Sequence, residues 1–190
     1  MTARYFDLSE DVEAPGRWYL GDPVDENGVE LEDPWVFRAG EPVRVKTPLR
    51  IPIDEPGKPL HFSAAGIGQA PILHVKLATL FAELAPNDVQ LLPVDIPGQP
   101  EQFSMLVATR MIRCIDERAS EEARRWEPGD GRPEKVGQYR SVYGMRIDPS
   151  QVGDAKVFRT WGWSIALIVS EELKTALERT GATGMYFMEA

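Results

Sequence analysis

Apolar and polar positions change rhythm along this chain, and each change predicts a different element. Between residues 72 and 85, Leu73, Leu77, Leu80, Phe81 and Leu84 recur at i, i+4, i+7, i+8 and i+11, a single stripe at the helical period. Pro71 suits a helix start and Pro86 forces a stop, so a helix is expected over residues 72–85. A second helix is expected from Ser170, a capping residue, to about residue 180, with Glu171 and Glu172 in its first turn and Gly181 just past its end. Elsewhere the pattern is two-residue. Residues 88–94 and 103–115 read as strands separated by the turn Pro97-Gly98-Gln99-Pro100. In 103–115 both alternate sets begin apolar (Phe103, Met105, Val107 and Leu106, Ala108, Ile112), which predicts a strand covered on both faces. Residues 138–146 set Tyr139, Tyr143 and Met145 against Arg140 and Arg146. Residues 157–160, 164–169 and 184–188 are strand-like.

The first third follows another rule. Eight of the sixteen prolines precede residue 61, and proline removes a backbone donor and fixes φ, so short strands and ordered loops are expected there. Asn27-Gly28 predicts a type I′ hairpin turn. Beyond it Val29 and Leu31 alternate with Glu30 and Glu32, a half-buried strand with its acids outward. Residues 43–46 and 49–53 look extended, and Trp18, Tyr19, Trp35, Val36 and Phe37 call for burial. Residues 116–137 are charged and end in Glu127-Pro128-Gly129-Asp130-Gly131-Arg132-Pro133, a surface loop by composition. At 190 residues the chain is long enough to bury about 70% of its unfolded surface in one core. The expected architecture is a single α+β domain over residues 1–190. It has a mixed, mainly antiparallel sheet, helices near 72–85 and 170–180, a turn-rich part over 1–60 and the main α+β part over 61–190.

Charge sharpens this picture. The chain carries 30 acids against 21 Lys or Arg, a net charge of -9. Residues 7–33 hold ten of the acids (Asp7, Glu10, Asp11, Glu13, Asp22, Asp25, Glu26, Glu30, Glu32 and Asp33) and one base, Arg17. The remainder is balanced, so the excess is local. A one-sided acidic face repels nucleic acid and anionic membranes and steers basic protein surfaces toward itself; the same charge also serves solubility. One cysteine, Cys114, leaves no disulfide framework, and neither an apolar leader nor a run of about 20 apolar residues appears, so the expected setting is a reducing cytoplasm.

Motifs for chemistry are few. His61 and His74 have no partners at ligand or catalytic spacing, and Cys114 ends an apolar strand, where it reads as a small buried hydrophobe. Gly66-Ile67-Gly68 follows no apolar strand and has Pro71 where the third glycine of a dinucleotide fingerprint belongs. Asp25-Glu26-Asn27-Gly28 sits in a frame whose first and twelfth calcium-loop positions would be Pro23 and Pro34. Asp116 and Glu117 are the best carboxylate pair for acid–base work. No cofactor and no metal are expected. Recognition has better support: Val157-Phe158-Arg159-Thr160-Trp161-Gly162-Trp163, if extended, puts Arg159, Trp161 and Trp163 on one face, and Trp and Arg are enriched at binding hot spots.

Several strings together resemble a myxobacterial family of immunity proteins of polymorphic toxin systems, immunity family eleven. They are Asp11-Val12, Pro15-Gly16-Arg17-Trp18, Leu20-Gly21-Asp22-Pro23, Asp33-Pro34-Trp35 and Gly40-Glu41-Pro42. Further on come Cys114-Ile115-Asp116 with Ser120, Met145-Arg146-Ile147-Asp148-Pro149, the string from Lys156 through Trp163, and Ile168-Val169-Ser170-Glu171-Glu172-Leu173. A final glycine-to-aromatic strand, residues 184–187, closes the resemblance. It implies a cytoplasmic, non-catalytic inhibitor that binds and neutralises a cognate toxin in interbacterial antagonism, and it transfers no catalytic or metal-binding residue. Basic toxin domains would match the acidic face. The expected contacts are Asp22, Asp25, Glu26, Glu30, Glu32 and Asp33, then Arg159, Trp161 and Trp163. The rival expectations are a hydrolase built on Asp116 and a homo-oligomer that self-associates through the Trp face.

Overall fold

The computed structural model describes residues 3–190. Within them the chain forms fourteen strands and two α-helices. In chain order these are β1 (Tyr5–Glu10), β2 (Tyr19–Leu20), β3 (Leu49–Arg50), β4 (Ile53–Glu55), β5 (Phe62–Ala65), β6 (Ala70–His74), α1 (Val75–Leu84), β7 (Val89–Asp95) and β8 (Phe103–Ala108). There follow β9 (Met111–Ile112), β10 (Glu122–Arg125), β11 (Tyr139–Tyr143), β12 (Val157–Thr160), β13 (Trp163–Ser170), α2 (Glu171–Arg179) and β14 (Met185–Glu189). This is the expected α+β class. One sheet of seven strands runs β3-β7-β8-β6-β5-β2-β4, another of five runs β14-β1-β13-β12-β9, and β10 with β11 makes a separate ribbon. Pairing is antiparallel except for β2–β5, β3–β7 and β9–β12.

Strand β8 is the axis of the molecule. Met105, Leu106, Val107 and Ala108 are all fully buried, as alternating apolar sets on both faces require. Met105 and Val107 face a core shared with Trp18, Phe37, Leu49 and Ile51 of the proline-rich N-terminal part. Leu106 and Ala108 face a second core containing α1, α2 and one side of the five-stranded sheet. The predicted long strand breaks at Thr109-Arg110, and β9 crosses over to pair with β12 in the other sheet. Asp88 pins that crossover. Its buried carboxylate accepts from Lys156 N at 2.7 Å, Val157 N at 3.3 Å and Arg110 Nη1 at 3.2 Å.

The first helix is shorter than its periodicity suggests. Ile72 and Leu73 belong to β6, paired in register with Met105 and Ser104 of β8, and Pro71 lies in that strand too. A run buried on every side satisfies a central strand as well as a helix stripe, and here the sheet claims it. His74 becomes the N-cap, its Nδ1 accepting from Lys76 N at 3.1 Å. The second helix matches expectation: Ser170 Oγ accepts from Leu173 N at 3.3 Å, and Leu173 and Leu177 are buried.

Three further local expectations change. At Asn27-Gly28 only Gly28 has positive φ, 80°. Gly28 N donates to Asp25 O and Asp25 N to Val29 O, which is a type I turn followed by a left-handed glycine, not a type I′ turn. The pairing beyond it shrinks to a bridge between Val24 and Glu30; Val29 is exposed and Leu31 alone packs inward. Trp18 and Phe37 are buried, whereas Tyr19 and Trp35 are exposed. Residues 122–125, charged and without a predicted element, form β10, and because the β10–β11 ribbon belongs to neither large sheet, Tyr143 stays exposed while Tyr139 is buried.

Candidate partner-binding face

The six acids singled out between residues 22 and 33 divide by what holds them. Asp25 accepts from Asn27 N at 2.8 Å and Val29 N at 2.9 Å, and these backbone donors, Val29 first, hold its carboxyl below the ordinary range. Asp33 accepts from Trp35 N at 2.8 Å, and Asp22 from Ile67 N at 2.8 Å. Glu26 is paired with Lys46. Glu30 and Glu32 are exposed and have no ion-pair or hydrogen-bond partner among the described residues. Asp22, Asp25 and Asp33 thus shape the loop, and Glu30 and Glu32 are the acids of this group that carry exposed, unpaired charge among the described residues.

What they surround is the tip of the β5–β6 hairpin. Gly66 has φ of 61°, and a Cβ there would run into the Asp22 carboxylate; a Cβ at Gly68 would meet the carbonyl of Pro34. The two glycines let the acidic loop close over the hairpin from both sides. Between them Ile67 is thrust outward, 64% exposed. Together Asp22, Pro23, Glu30, Leu31, Glu32, Pro34, Phe37 and Ile67 line a cavity of about 200 Å³. The residue reading did not single out Ile67. The signal was present in Gly-Ile-Gly at a turn, since an apolar side chain between two turn glycines has no core to enter.

The second predicted group does not stay together. Gly162, with φ of 79°, turns the chain between β12 and β13, so residues 157–163 are not one extended strand. Arg159 is 2% exposed: its Nη1 donates to Ile165 O at 3.0 Å, and Nε and Nη2 have no partner. Burial, with Arg38 nearby, pushes its pKa down to about 9. It is a core residue, unavailable at the surface. Trp163 is half-buried against a third core behind the five-stranded sheet. Trp161 is half-exposed and stacked under the Arg113 guanidinium at 3.2 Å. Together with Trp35, Arg38, Ala39, Met111, Gln138, Gly162 and Ser164 it lines a cleft of about 240 Å³. The fold thereby joins one member of the second group to Trp35, two residues beyond Asp33. Arg38 in turn stacks on Trp35 at 4.6 Å.

The candidates for chemistry are taken up by structure. Asp116 accepts from Arg118 N and Ala119 N, both at 3.0 Å, and so closes a turn. Glu117 is bound by Arg125 and by Tyr139 Oη at 2.8 Å, and the Arg125 hydrogen bond foremost holds its carboxyl below the ordinary range. Cys114 is buried, and desolvation pushes its thiol up to about 12, far from a reactive thiolate. His61 Nδ1 accepts from Thr183 N at 3.1 Å and its ring packs edge-on against His74. Among the described residues no group of three or more His, Cys, Asp or Glu side chains could hold a metal ion, and no helix is long and apolar enough to cross a membrane.

Exposed apolar side chains set among uncompensated acids suit contact with another protein. Comparison with known families agrees with that class. The model of an immunity protein family, Imm11, matches residues 79–190, and the chain belongs to this family. The match takes in Trp161 and Trp163 and ends short of the acidic loop and hairpin tip on the N-terminal side. No curated protein matches the chain.

Proposed function

We propose that this protein neutralises a cognate toxin by binding it stoichiometrically in the cytoplasm, without catalysis, in competition between bacteria. Family membership supplies the class; the observation that carries the contact surface is the pair Glu30 and Glu32, exposed and unpaired beside the outward Ile67. Acids without counterions accelerate encounter with a basic protein, and a central apolar side chain supplies the desolvated contact that slows its escape. Asp22, Asp25 and Asp33 hold this surface in shape, Glu26 adds charge at its edge, and Trp161 with Trp35 extends it. Trp163 packs against the core behind the five-stranded sheet, and buried Arg159 contributes no contact.

The test is co-expression with the toxin encoded beside it, capture of the complex, and association kinetics at low salt. The Glu30→Lys, Glu32→Lys double variant is expected to slow association about tenfold or more with unchanged thermal unfolding. Absence of any complex or growth rescue by the unmodified protein would overturn the function. An unchanged on-rate in the double variant would remove these two acids from it. Reversing Asp25 is a poor probe, since its carboxylate holds two backbone amides of the turn.

A further inference from the structure

The β5–β6 hairpin borders a second and larger cavity, a cleft of about 620 Å³ that Glu30 and Glu32 do not line. Its lining is Ser9, Glu10, Asp11, Val12, Glu13, Ala64, Gln69 and Tyr186, and its floor is largely apolar. Val12 and Tyr186 are 63% and 53% exposed, large apolar side chains held at a rim where water covers them. Ala64 and Ser9 are small, so the space between the rims stays open.

The charge at this cleft has one sign. Three carboxylates line it and no Lys or Arg does. Glu10 is already satisfied by Arg17 at 3.0 Å, in an ion pair that is itself nearly buried. Asp11 accepts from Glu13 N at 3.1 Å and is shaped into a turn, while Glu13 projects into solvent without a partner among the described residues. Gln69, on the opposite rim, has φ of 50° and is the one non-glycine residue with positive φ among those described. That conformation costs free energy in an ordinary side chain, and the hairpin holds it where Gln69 borders the cleft and Ile67, two residues earlier, borders the acidic loop cavity.

We infer that this cleft is a socket for an apolar side chain carried on a Lys- or Arg-rich segment of the toxin, so that the partner engages the hairpin here as well as at Ile67. The inference rests on the toxin-binding reading and adds the chemistry of the segment recognised. An acidic or neutral segment would leave Asp11 and Glu13 uncompensated, and a segment without a large apolar side chain would leave the floor wet. The Ser9 hydroxyl and the Gln69 side-chain amide offer polar contacts within the lining.

The experiment uses the full chain and the toxin encoded beside it. Three variants are compared with the unmodified protein: Val12→Ser with Tyr186→Ser, which strips the rim; Ser9→Trp, which fills the space; and Glu13→Lys, which reverses the unpaired charge at the mouth. All four positions are exposed, and thermal unfolding of each variant checks that the fold is retained. The rim and filling variants are expected to raise Kd at least about tenfold through faster dissociation, with little dependence on salt. The charge variant is expected to slow association at low salt only. Folded rim and filling variants that bind as tightly as the unmodified protein, while Glu30→Lys with Glu32→Lys loses affinity, would overturn the socket and leave the toxin-binding reading standing. Failure of the unmodified protein to bind the toxin would overturn both.

Discussion

Asp7 shows how a single side chain ties this surface to the core. It lies on β1 opposite Ile168, and burial pushes its carboxyl up to about 6, against the opposing pull of the Leu167 backbone and the Arg159 charge. In the unfolded chain an aspartate titrates near about 3.9. Between these values the folded protein binds the extra proton, so the stability contributed by this group is full below about pH 4 and is lost as pH rises through 6. Asp7→Asn is expected to remove this fall and to raise stability at pH 7 by about 2 kcal/mol, read from denaturant midpoints at pH 4.5 and 7. An equal midpoint shift at both pH values would show that the carboxyl is not the titrating group. Arg159 belongs to the same account. From its type and its Trp neighbours it resembled a hot-spot residue, yet residue type does not say which face of a strand meets a second layer, and here that layer covers it.

At the scale of elements, legibility tracked how local the deciding forces are. The second helix is set by neighbours within its own turns, a serine cap, two first-turn acids and a terminal glycine, and its limits could be read directly. The first helix depended on a competition the chain cannot show locally: Ile72 and Leu73 had equal claims as helix stripe and central strand, and β8 decided the matter by pairing with them. The same holds for the acidic rim around Ile67. The acids at Glu30 and Glu32 were visible as a charge pattern, but their placement around Ile67 depends on a hairpin more than thirty residues away in sequence. The break after Ala108 is another long-range event, fixed by Asp88. Asp88→Ala is expected to destabilise the protein by about 3 kcal/mol, because Lys156 N, Val157 N and Arg110 would all lose an ionised acceptor in a buried site. Chemical denaturation measures this directly, and a loss below about 1 kcal/mol would show that the crossover is held by packing alone.

Over the whole chain the acidic excess is confined to residues 7–33 while the remainder is balanced, and long-range steering by such charge is screened by salt. Association with a basic partner is expected to slow several-fold between about 50 and 500 mM salt, and the Glu30→Lys, Glu32→Lys variant to converge with the unmodified protein at the upper end. Stopped-flow association rates across that range decide it; parallel, salt-independent rates would mean that shape alone governs encounter. The order of the five-stranded sheet has a consequence of another kind. Among the described residues β1 is the first of the fourteen strands in chain order, and it lies between β13 and β14, the thirteenth and fourteenth. At about 5–20 residues per second, a ribosome needs on the order of 10–30 seconds to go from one to the others. Through that interval the first strand has neither neighbour, and the rim that Val12 and Tyr186 share does not exist. On the proposed function, a copy still being translated offers no complete rim to a toxin until β14 has been made, and protection rests on copies already past that point.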